Sequence, residues 1–161
     1  MRLISATICL TIAVLLGSVS KSYADSMLCI AEKSVGFEWE QEQWMPKIFS
    51  TNSKFILRTA TDVDKDKATN YMPQMRFRKD QITHVFSRFG SGDLHPCRSS
   101  KITITCDTGF GEFYFRKRSQ RFVIDHGFGT VMMDQSQVRE FKKEYGFIGE
   151  AHVETGSCSK I

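Results

Sequence analysis

The chain has 161 residues, 41% of them hydrophobic and 25% charged, with 13 Phe and a formal net charge of +4. The length suits one domain, and no stretch is repeated or of low complexity. A charge this small argues against nucleic acid as the partner.

Residues 1–24 read as a removable secretory signal. Arg2 starts it, Leu3 to Leu16 is an apolar run too short for a bilayer span, and Ser22-Tyr23-Ala24 places small residues where a signal peptidase reads. Cys9 lacks the preceding small residues of a lipoprotein cleavage box, so no lipid anchor is expected. Cleavage removes Arg2 and Lys21 and lowers the formal charge from +4 to +2. A single domain over 25–161 is expected, soluble and without a membrane span, in the periplasm or secreted.

Four cysteines remain in that domain, Cys29, Cys97, Cys106 and Cys158. An even number in an exported chain points to two disulfides. Of the three connectivities, the expected one joins Cys97 to Cys106 as a local clip and Cys29 to Cys158 as a tie between the ends. No two cysteines form a CxxC, and His84, His95, His126 and His152 are scattered along the chain, so neither a metal site nor a cofactor is expected.

Residues 27–60 read as a run of strands. The first covers 27–33, a hairpin of 36–40 with 44–49 turns at Glu40-Gln41-Glu42-Gln43, and 54–60 follows with Phe55 and Leu57 alternating against Ile56 and Arg58. Trp39 and Trp44 are expected in or over the core, ahead of a sugar-stacking platform. Residues 61–73 read as a solvated loop. Asp62, Asp64 and Asp66 alternate as in the start of a calcium loop, but Lys67 and Pro73 stand where its glycine and glutamate belong. Strands are expected at 75–78 and 82–89, then a turn-rich loop at 90–96.

The segment 97–129 organises the domain. Ile102 and Ile104, then Phe113 and Phe115, then Phe122 and Ile124 alternate with polar residues, the period of half-buried strands. Paired residues in an antiparallel ladder share a face, so Phe113 and Phe115 pair with Phe122 and Ile124 only if paired numbers sum to an odd total. A four-residue loop, Lys117-Arg118-Ser119-Gln120, satisfies this and sets Phe115 opposite Phe122 and Phe113 opposite Ile124. It also sets Glu112 opposite Asp125 and Arg116 opposite Arg121, like-charge pairs costing a few tenths of a kcal/mol each, within the ~0.2–1 kcal/mol span of cross-strand pairs.

Asp134 to Gly146 carries the strongest helix signal. Asp134 and Gln137 form a capping box, Val138, Phe141 and Tyr145 make one apolar stripe, and Gly146 supplies the stop. A strand at 147–154 and a tail holding Cys158 close the chain.

Three constellations bear on function. Arg116, Lys117, Arg118 and Arg121 crowd the tip of the central hairpin, and a projecting cationic tip suits phosphate or carboxylate groups on an anionic protein or envelope component. Glu112 and Asp125 face each other as paired carboxylates of a hydrolase would. Asp125 and His126 are adjacent and so point to opposite faces, which argues against a dyad. No GxSxG, HExxH or phosphate loop occurs.

Cys29-x-Ala31, Gly36-Phe37, Trp44, Phe49, Lys54-Phe55-Ile56, Cys97, Cys106, Gly109-Phe110-Gly111-Glu112-Phe113-x-Phe115, Arg121-Phe122 and Glu154-Thr155-Gly156-x-Cys158 together resemble a family of small uncharacterised exported proteins of bacteria and their phages. The resemblance implies an exported, disulfide-bonded domain and brings no activity with it. The expected fold is mainly β, an antiparallel sandwich or small open barrel with one C-terminal amphipathic helix and two disulfides. The expected function is a non-enzymatic binding module using Arg116, Lys117, Arg118 and Arg121. A β-barrel carrier of a small apolar ligand is the alternative, with Phe113, Phe115, Phe122 and Ile124 lining its cavity, and the hydrolase stands third.

Overall fold

The computed structural model describes residues 25–71, 77–109, 111–127, 133–145 and 151–161, so the expected signal, and the first half of the strand expected at 75–78, lie outside the described residues. Nine antiparallel strands form one sheet: β1 (Ser26–Glu40), β2 (Gln43–Phe49), β3 (Lys54–Thr59), β4 (His84–Arg88), β5 (His95–Ser99), β6 (Thr103–Asp107), β7 (Glu112–Arg116), β8 (Arg121–His126) and β9 (Ala151–Lys160). Pairing of β1 with β9 closes eight of them into a barrel, and β2 is the extra strand, attached to β1 alone. Closure answers the open-edge problem that a sandwich or open barrel would leave.

The 15 residues of β1 make this possible. The two strands expected at 27–33 and 36–40 are one, with a register shift between Ala31 and Lys33. Before the shift β1 pairs with β3, beyond it with β2, and β9 runs along its other edge from Met27 to Phe37. The β1–β2 turn holds Gln41 and Glu42 at φ 49° and 61°, the left-handed pair of a two-residue hairpin turn. Trp39 and Trp44 are opposed on this hairpin and meet edge to face at 5.3 Å, half-buried and outside the barrel core. That corrects the core expectation.

Inward-facing residues follow the expected parity. Phe113 pairs with Ile124, Phe115 with Phe122 and Arg116 with Arg121, around the loop at 117–120. Phe113, Phe115, Phe122 and Ile124 are fully buried with Phe55 and Phe86, ring centroids 4.2–5.9 Å apart. They pack together in the interior of the barrel. Gly156 sits opposite Phe122, where a Cβ would lie 2.6 Å from that ring and 2.0 Å from the Ile30 carbonyl oxygen. Ile102, expected on the strand face, is exposed in the turn before β6.

Both disulfides join directly opposed residues, Cys29–Cys158 across β1 and β9 and Cys97–Cys106 across β5 and β6, with Cα atoms 3.9 and 4.0 Å apart. Cys158 therefore belongs to a strand and not to a tail. Likewise the loop expected at 90–96 gives way to β5 at His95.

The segment expected as a loop at 61–73 contains helix α1 (Asp62–Tyr71). Its start is a capping box: the Thr61 hydroxyl accepts the Asp64 N–H at 3.2 Å, and the Asp64 carboxylate accepts the Thr61 N–H at 2.9 Å. Asp64 also takes both Arg58 Nη atoms, one of them at 2.8 Å, and is buried. Phe77 and Arg78 lie in a bend before a 3-10 turn at Lys79–Gln81, not in a strand. The C-terminal helix α2 (Gln135–Tyr145) has the expected capping box, with reciprocal Asp134 and Gln137 bonds of 2.9 and 3.0 Å, and Val138 is buried. Among the described residues the barrel thus carries two α-helices where one was expected.

Candidate functional site

The two barrel ends differ in chemistry. At the end closed by the 117–120 loop, two of the four tip cations are engaged within the chain. Lys117 Nζ donates to Ser99 Oγ at 2.6 Å and to the Ser100 carbonyl at 2.7 Å. Arg121 Nη1 donates to both Glu32 oxygens at 2.8–2.9 Å, while Ser157 Oγ donates to Glu32 Oε1 at 2.7 Å. The Ser157 hydroxyl and Arg121 together hold the Glu32 carboxyl below its ordinary value. Arg116 and Arg118 are exposed and have no ion-pair partner among the described residues.

Arg116 lies opposite Thr103 on the outer wall. Beside it runs a polar groove of about 330 Å³ lined by Arg98, Ser99, Ser100, Thr103 and Thr105. The Arg98 guanidinium stacks on Phe77 with its carbon 5.0 Å from the ring centroid, a contact that orients the planar fork without neutralising it. Arg98 is not among the expected site residues because the sequence pattern assigns no strand to 97–100. Its alternation with Cys97 and Ser99 was the available signal.

The acidic pair does structural work. Asp125 Oδ1 accepts the Glu112 N–H at 3.1 Å, and the Tyr114 hydroxyl donates to Glu112 Oε2. One oxygen of each carboxylate is thus engaged by a donor of the same hairpin.

The opposite end gathers buried polar groups. His126 ends β8, is directly opposed to His152 on β9, and Glu154 follows two residues on along the same face. The two rings stack with centroids 4.5 Å apart, and His126 Nε2 is 3.6 Å from Glu154 Oε2. Glu154 is 4% exposed and accepts from Ser53 Oγ at 2.8 Å, and Phe49 packs on His152 at 5.0 Å. Burial pushes the Glu154 carboxyl up, but His126, the Ser53 hydroxyl and His152 outweigh it, so the group titrates below its ordinary value. The expectation of scattered histidines fails for these two. The missed signal was parity: with Cys158 facing inward, Gly156, Glu154 and His152 face inward too, and His126 shares its face with Phe122 and Ile124.

Among the described residues no helix is long and apolar enough to cross a membrane. Comparison with protein-family models, with curated proteins and with solved structures finds no match.

Proposed function

We propose that the protein is an exported, non-enzymatic binding module that recognises phosphate or carboxylate groups on an anionic protein or envelope component. The observation that carries this reading is the polar groove of Arg98, Ser99, Ser100, Thr103 and Thr105 bordered by the unpaired Arg116. Guanidinium groups beside hydroxyl donors suit such anions, and Lys117 and Arg121 hold the hairpin beneath them. Export to the periplasm or beyond agrees with the 1–24 signal and with two disulfides, which persist in oxidising compartments.

The test is binding of the disulfide-intact protein to a soluble polyphosphate and to polyglutamate at low and high salt. Binding that weakens with salt is expected, and Arg98→Gln or Arg116→Gln should each weaken it about tenfold, the equivalent of one charge-assisted hydrogen bond. Absence of binding to both polymers, or equal binding by wild type and both variants, would refute the reading.

A further inference from the structure

We propose that His126, His152 and Glu154 form a three-ligand site for a divalent transition-metal cation of the zinc class, at the barrel end remote from the anion groove. The three residues each offer one ligand atom, and these atoms all lie within 4.8 Å of one another. The His126 Nε2 to Glu154 Oε2 separation of 3.6 Å is too long for a hydrogen bond. It is close to the ~3.4 Å chord between two donors that each sit ~2.1 Å from one tetrahedrally bound zinc.

A second observation is independent of that spacing. Glu154 is 96% buried, by its 4% exposure, yet Oε2 has no hydrogen-bond partner, and neither has His126 Nε2. A buried carboxylate oxygen left unmatched costs about 1–3 kcal/mol or more, so such groups are normally paired or bound to metal. Ser53 holds the other carboxylate oxygen, as an outer-shell donor orients a ligating carboxylate.

The frame is rigid because the ligands ride on a strand pair. His126 and His152 are fixed opposite each other by the β8–β9 ladder, and the Cys29–Cys158 bridge ties β9 to β1 four residues beyond Glu154. Gly36 lets β1 pass against His152, where a Cβ would lie 2.5 Å from the His152 Cα. Two imidazoles and one carboxylate suit zinc, nickel and copper better than magnesium or calcium. Three protein donors leave a coordination position for water or an anionic ligand.

The experiment is zinc titration of chelator-treated protein with its disulfides intact, by calorimetry. One zinc per chain is expected, with binding at least ~100-fold weaker in Glu154→Gln, because even outer-shell losses cost ~10–100-fold. The wild-type long-range proton–nitrogen spectrum supplies a reading that needs no variant. Zinc should shift the ring nitrogens of His126 and His152 together and leave His84 and His95 in place. No stoichiometric uptake, an unchanged affinity in a folded Glu154→Gln, or shifts confined to His84 and His95 would overturn the site.

Discussion

Replacing Asp64 with Asn should unseat α1 from the barrel. The carboxylate receives four donors: both Arg58 Nη atoms, the Thr61 N–H at 2.9 Å and the Thr61 hydroxyl at 2.7 Å. Its side chain is 9% exposed and that of Arg58 28%, so solvent screens the pair only weakly. Asn keeps the shape but turns an N–H₂ towards Arg58, leaving a partly buried cation without its counter-charge. Breaking a buried pair from one side costs about 3–5 kcal/mol, and the remaining exposure of Arg58 places this case near about 3 kcal/mol, or roughly 10 °C in Tm. Arg58 foremost, with Thr61, holds the Asp64 carboxyl well below the ordinary carboxylate range. The folded value is thus depressed, and its stabilisation is complete above the unfolded pKa of ~3.9 and is lost as pH falls from there towards the folded value. Thermal unfolding of both proteins between pH 7 and pH 2 checks this. The gap should be widest near neutrality and narrow below pH ~4. A gap under 2 °C at pH 7, or one that does not change with acid, would refute the reasoning, since proton linkage ties the pH dependence of the gap to this one carboxyl.

Two further outcomes are expected. Gly156→Ala should destabilise by about 3 kcal/mol, because a Cβ 2.0 Å from the Ile30 carbonyl oxygen and 2.6 Å from Phe122 forces β1 and β9 apart; urea denaturation close to wild type would contradict it. Removing Cys29–Cys158 by paired Cys→Ala changes should cost up to ~5 kcal/mol and removing Cys97–Cys106 up to ~3, as their sequence separations of 129 and 9 set the loop entropies. Equal losses in urea would argue against an entropic origin.

Much of the barrel was legible along the chain because its cause is local. The period-2 run from Phe113 to Ile124 sets the face by parity and, with a four-residue loop, the register, while the disulfides join the expected partners, a local clip and a tie between the ends. The α2 capping box of Asp134 and Gln137 is likewise complete within four residues. Helix α1 escaped notice because its residues are polar and its apolar stripe is thin; the Arg58–Asp64 pair and burial of Ala68 anchor it, and both depend on where β3 ends.

Barrel closure, and with it the surroundings of Glu154, was decided by tertiary structure. Pairing of β1 with β9 joins residues more than a hundred positions apart, and no local pattern encodes such a contact. That pairing brings Ser53 to Glu154, and the β8–β9 pairing brings His152 to His126. The same folding engages Lys117 and Arg121 within the chain and leaves Arg98 in the groove whose Thr103 lies opposite Arg116. Side-chain chemistry belongs to single residues and can be read in order, whereas a site depends on distances that exist only once the sheet has closed.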